Sequence, residues 1–193
     1  MRLKVDIISR DLKCRHQLSS KMTNWKTFAT DLDLVDGVTG YNVGFGGAIA
    51  EDCPYSFDRL VKPLNPSKIF VFVGGNNVGA KGQKGEETVQ KIAAYLEMVR
   101  KELPSAELYY IYTLPTPGAC KDGTYYGEYG NLVYGMMEYC ENNSDWVTGI
   151  SVHSALTDET GNMKSEYLLS DKIHLTDLGY KQFSSVIYPY VHD

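Results

Sequence analysis

The segment Ser170-Asp171-Lys172-Ile173-His174-Leu175 sets a carboxylate three residues before an imidazole, directly ahead of a helix start read at Thr176-Asp177-Leu178-Gly179-Tyr180. A carboxylate so placed can accept a hydrogen bond from one ring nitrogen of His174, fixing its tautomer and stabilising its cation. The other nitrogen is then left to deprotonate a nucleophile. Taken alone, Asp-x-x-His is a weak signal, because the same spacing occurs in turns that lead into helices and carry a surface imidazole.

Two upstream motifs add weight. Asn42-Val43-Gly44-Phe45-Gly46-Gly47-Ala48 and Val71-Phe72-Val73-Gly74-Gly75-Asn76-Asn77 each follow a short apolar run that reads as a strand. Glycines at a strand's end permit a tight turn and let a backbone N–H approach a ligand with no Cβ in the way. Asn76 offers a side-chain amide donor. One backbone N–H and one carboxamide aimed at a common point make an oxyanion hole, in which each donor contributes about 3–4 kcal/mol to the transition state. The plainer reading of either motif alone is a turn.

In this order and spacing the three motifs resemble the SGNH (GDSL-like) hydrolase family, and the resemblance runs from Trp25 to Tyr180. In that family a serine after the first strand is the nucleophile. A glycine after the second strand and an asparagine after the third are oxyanion donors, and Asp-x-x-His completes the triad. Gly47, Asn76, Asp171 and His174 fall on those positions. From Gly47 to Asn76 is 76 − 47 = 29 residues, a length that accommodates one helix and one strand.

The nucleophile motif departs from the pattern: there is no Gly-Asp-Ser or Gly-x-Ser after a hydrophobic first strand. Some relatives carry a serine five residues ahead of a tryptophan that begins a Trp-Lys helix, and Ser20 stands so to Trp25 (25 − 20 = 5). Ser20 is therefore the first candidate. Leu18, however, stands where a glycine is expected, and Lys13 to Gln17 make a poor buried strand. Leu3 to Ile8 is the better strand and ends at Ser9, the second candidate. A third alternative is a site without a competent serine.

Elements able to position these residues follow from periodicity. Helical spacing links Trp25, Phe28, Ala29 and Leu32; Val89, Ile92, Ala93, Leu96 and Val99; and Leu132, Val133, Met136, Met137 and Cys140. Between them lie runs apolar on both faces, Ile69 to Val73 and Leu108 to Tyr112, as buried parallel strands tend to be, and Trp146 to Val152 supplies another. Alternating strands and helices predict an α/β fold, a doubly wound parallel sheet in a three-layer α/β/α sandwich. The resemblance implies five strands in the flavodoxin-like order 2-1-3-4-5. Gly47, the nucleophile loop and Asn76 would then converge at a topological switch point.

The 193 residues are expected to form a single domain, 1–193. A net charge of −5, without a long Lys/Arg block, argues against nucleic-acid or anionic-membrane partners. Cys14, Cys53, Cys120 and Cys140 are widely separated, so no metal site is expected. They read as reduced thiols of a cytoplasmic protein, since the N-terminus lacks a long apolar signal. No stretch approaches the roughly 20 apolar residues that span a bilayer.

The expected chemistry is hydrolysis of a small-molecule ester by Ser20, His174 and Asp171, needing no cofactor, with Gly47 and Asn76 holding the oxyanion. Short acyl esters, acetylated carbohydrate among them, fit because no long apolar lid is evident. Tyr125, Tyr126 and Tyr129, in and after the loop that follows the Leu108–Tyr112 run, either stack on a sugar or pack that loop against the next helix. His16, His153 and His192 lack a carboxylate three residues before them and read as structural or surface. If no serine is competent, the chain is instead a ligand- or partner-binding domain.

Overall fold

The computed structural model describes residues 20–34, 40–120 and 127–192. Eight α-helices are present among them: α1 (Ser20–Asn24), α2 (Phe28–Asp31), α3 (Cys53–Ser56), α4 (Gly75–Gly79), α5 (Gly85–Glu102), α6 (Glu128–Asn142), α7 (His153–Leu156) and α8 (Asp177–His192). Three strands, β1 (Lys68–Val71), β2 (Glu107–Ile111) and β3 (Val147–Ile150), pair in parallel in the order β1-β2-β3.

Alternation along the strands divides the core. Ile69, Val71, Leu108, Tyr110 and Val147 face one layer with Ile92, Leu96 and Val99 of α5 and Leu132, Met136 and Cys140 of α6. Phe70, Tyr109, Ile111 and Ile150 face the other, where Met22, Trp25, Leu32 and the α8 residues Phe183, Ile187 and Val191 gather. Helices thus cover both faces of a parallel sheet, which leaves its loops at the strand ends free to carry chemistry. Across that second face Phe70 and Tyr109, register partners in β1 and β2, stack with ring centroids 4.6 Å apart.

The long helices form where the apolar stripes predict them. α5 also carries Glu86 and Glu87 in its first turn and Arg100 and Lys101 in its last, charges that complement the helix dipole. Thr176 accepts a hydrogen bond from the Gly179 N–H at 3.1 Å, capping α8 at the helix start read from sequence.

Two expectations are corrected and a third is met in part. Among the described residues the sheet has three strands, β1 to β3, of the five that the resemblance implies. Leu3 to Ile8 lies outside them, and the run before Gly44 contributes one bridging residue, Val43. The reason is local: the Asn42 side chain binds the Gly44 N–H and the Met22 carbonyl, both at 3.1 Å, and so folds the segment into a turn. The Trp25-to-Leu32 stripe is not one helix: α1 ends at Asn24, Trp25 lies between α1 and α2, only Phe28–Asp31 is helical, and Ala29 is exposed. That break lets the Trp25 indole enter the core, where it stacks on Tyr180 at 5.8 Å. Met137, placed on the core face by spacing, is exposed.

Candidate active site

Ser20 is the first residue of α1, and its Oγ is hydrogen-bonded to Nε2 of His174. On the other side of the ring, His174 Nδ1 donates to Asp171 Oδ2 at 2.6 Å. This bond fixes the tautomer: with the proton on Nδ1, Nε2 keeps its lone pair and the Ser20 hydroxyl donates to it. The remaining oxygen of Asp171 accepts the backbone N–H groups of Ile173 and His174 at 2.8 and 3.0 Å. Burial acts to raise the pKa of Asp171. The hydrogen bonds from the His174 side chain and from the backbone of His174 and Ile173 outweigh it and hold the carboxyl down at about 2.

The turn that carries this pair is fixed from three sides. Lys172 takes a left-handed conformation, φ 56°, which lets Asp171 fold back on its own turn. The Leu169 N–H donates to the His174 carbonyl at 2.8 Å, and Leu168 bridges Leu175. From the loop after β2, the Gly118 N–H donates to the Lys172 carbonyl at 2.9 Å. A Cβ on Gly118 would sit 2.4 Å from the Asp171 carbonyl oxygen, so only glycine allows this approach.

Ser20 is anchored through its neighbours. The Tyr180 hydroxyl of α8 donates to the Lys21 carbonyl, and Thr23 Oγ1 donates to the Gly44 carbonyl at 3.1 Å. These contacts tie α1 to α8 and to the Gly44–Gly47 segment. Gly47 itself has φ 87°, a left-handed conformation that suits glycine. No hydrogen bond among the described residues occupies its N–H.

After β1 the chain reverses at Gly74, φ 116°, where a Cβ would meet Ile92 at 2.9 Å. Asn76 then donates one amide N–H to the Ala48 carbonyl at 2.9 Å and keeps a second N–H. Asn77 is buried and differs entirely: it accepts from the Ala50 N–H at 2.9 Å and donates to Glu51 and Gln83 at 2.7 and 2.8 Å.

A cavity of about 240 Å³ opens between these elements, with Ser20, Lys21, Ala48, Asn76, Gly118, Tyr129 and Ile173 among its walls. The structure therefore brings Ser20, His174, Asp171 and Asn76 to one place. Gly47 is not on the cavity wall, which its neighbour Ala48 lines instead. Tyr129 is buried and donates its hydroxyl to the Gly75 carbonyl at 2.7 Å, and burial pushes its pKa up. Tyr125, Tyr126, Ser9 and His16 lie outside the described residues. His192 bonds the Leu32 carbonyl at 2.8 Å, and His153 opens α7, its pKa lowered by burial. Among the described residues no group of three or more His, Cys, Asp or Glu side chains is arranged to hold a metal ion.

Sequence reasoning passed over Lys21, whose neighbour Ser20 was the available signal. Lys21 is partly buried, and desolvation lowers its ammonium to about 8 against the opposing fields of Asp171 and Cys120.

The model of the GDSL-like lipase/acylhydrolase family matches residues 16–182. The chain belongs to this family. Solved structures agree on the fold. A GDSL-like lipase from Bacteroides thetaiotaomicron superposes with a TM-score of 0.74 at 16% identity, covering 99% of this chain and 87% of that one. A lipase/acylhydrolase from Enterococcus faecalis gives 0.72 at 18%, covering 98% and 93%. A family 3 carbohydrate esterase from Clostridium thermocellum gives 0.74 at 15%, covering 100% and 96%. A search of curated proteins found no match. Among the described residues no helix is long and apolar enough to cross a membrane.

Proposed function

We propose that this protein is a serine esterase acting on short acyl esters, with Ser20 as nucleophile, His174 as general base and Asp171 as its orienting carboxylate. The observation that carries this reading is the continuous hydrogen-bonded path from Ser20 Oγ through the His174 ring to Asp171. As Ser20 Oγ attacks the ester carbonyl, its proton passes to Nε2, and the imidazolium formed is stabilised by the ionised Asp171. The oxyanion is received by the Gly47 N–H, the second Asn76 amide N–H and the Ser20 N–H. His174 then protonates the departing alcohol, and water repeats the sequence on the acyl-enzyme.

The cavity, about 240 Å³, is below the roughly 300–1,000 Å³ of drug-sized ligand pockets, which favours a small acyl group. Likeness in fold to a carbohydrate esterase makes acetylated carbohydrate a reasonable first substrate.

A fluorophosphonate probe is expected to label Ser20, and Ser20→Ala is expected to abolish labelling together with hydrolysis of 4-nitrophenyl acetate. Labelling at Ser9 would move the nucleophile there. No labelling and no turnover across a panel of esters would replace the esterase reading with that of a ligand-binding domain.

A further inference from the structure

Lys21 is the one charged side chain among the described residues that line the cavity. Its backbone is held by Tyr180, so the residue beside Ser20 cannot drift. Its ammonium makes no hydrogen bond or ion pair among the described residues. Asp171, a carboxylate whose field acts on it, is already committed to the His174 ring and to two backbone N–H groups. A partly desolvated cation without a partner costs free energy, and an anion arriving in the cavity offsets that cost. The chain carries a net charge of −5, so an anionic ligand needs a local cation to be held there at all.

From this juxtaposition, in one small cavity, of the Ser20 hydroxyl and the Lys21 ammonium, which has no partner among the described residues, we infer that Lys21 is a specificity residue that pairs with a carboxylate borne by the ester substrate. The inference rests on the esterase reading for its kinetics but not for its binding. Lys21 takes no part in bond making. It fixes one end of the ester by charge while the carbonyl settles against Ser20 and Asn76.

Two isosteric pairs test it. 4-Nitrophenyl hydrogen succinate against 4-nitrophenyl 4-methylpentanoate places the carboxylate on the acyl side, and 4-acetoxybenzoate against 4-acetoxybenzamide places it on the alcohol side. Wild type is expected to favour the carboxylate member of one pair in kcat/KM by tenfold or more. Lys21→Met should cut that ratio at least tenfold, and Lys21→Arg should restore most of it. Calorimetry on the Ser20→Ala protein supplies a readout free of turnover: benzoate should bind more tightly than benzamide, and added Lys21→Met should remove the difference. No carboxylate preference in wild type, or a preference that survives Lys21→Met, overturns the inference. If no ester is hydrolysed, the esterase reading fails by itself, and the benzoate titration decides Lys21 independently.

Discussion

Asn76 and Asn77 grip the same loop with opposite chemistry: Asn76 donates to the Ala48 carbonyl, and Asn77 accepts from the Ala50 N–H, each at 2.9 Å. Asn76 keeps an amide proton at the cavity, whereas Asn77 is spent on scaffold contacts to Ala50, Glu51 and Gln83. Asn76→Ala is expected to lower kcat by roughly 10²–10³ with little change in KM. Asn77→Ala leaves the buried Ala50 N–H unsatisfied, at a cost of about 1–3 kcal/mol, so Tm should fall by ~2–10 °C. Side-by-side kinetics and thermal melts separate the two, and wild-type activity in Asn76→Ala would remove that residue from the mechanism.

Gly118→Ala is expected to act on the triad at a distance from the chemistry. The added methyl must displace the Asp171–Ile173 turn, since its nearest neighbours are backbone and Ile173 rather than a yielding side-chain tip. Loss of kcat by tenfold or more, with fluorophosphonate labelling slowed in proportion, is the outcome anticipated. Unchanged labelling would show that the turn adapts without moving His174.

Tyr180→Phe deletes the hydroxyl that holds the Lys21 carbonyl while keeping the ring stacked on Trp25. The stability cost should be about 1 kcal/mol, a Tm shift of ~2–4 °C. Activity should fall further than this implies, because Ser20 adjoins the released peptide. Equal kcat/KM in variant and wild type would assign Tyr180 to packing alone.

The acid limb of stability should depend on Glu51. Burial acts to raise its pKa, but hydrogen bonds from Lys91, Gln83, its own backbone and Asn77 outweigh it and hold the group at about 2. In the unfolded chain the group titrates near ~4.3. Between these values the unfolded state binds more protons, so stability rises with pH there. The contribution of Glu51 is complete above ~4.3 and lost as pH falls towards 2. Melts of Glu51→Gln and wild type from pH 2.5 to 7 should therefore converge at low pH and separate above pH 5. Parallel curves would refute the assignment. Asp171, held at about 2 by its own hydrogen bonds, leaves a residual acid dependence in the variant.

Much of this protein was legible in its sequence because the signals are local. The helical stripes of α5 and α6 and the short apolar runs of β1, β2 and β3 depend on side-chain periodicity, and each forms where its pattern predicts. Asp171 and His174 are three residues apart, so one turn suffices to bring carboxylate and imidazole together. The family assignment likewise rested on short motifs whose order could be read directly.

What the sequence left open depends on contacts between distant segments. Local sequence ranks Ser20 first only through its spacing to Trp25; that it meets His174, 154 residues away, is a tertiary contact. Their meeting depends on Tyr180 fixing α1 and on Gly118 buttressing the turn of Asp171. Nor can a dipeptide reveal that Asn77 is scaffold while Asn76 faces the cavity, because their difference lies in what the Ala48–Glu51 loop presents to each. Lys21 is just another surface-type residue in the sequence; only the packing of α1 against the cavity wall leaves it partly buried and, among the described residues, without a partner beside a hydroxyl. Periodicity determines which segments become elements, whereas side-chain partners across those elements are set by tertiary packing, and in this protein that packing assembles the site.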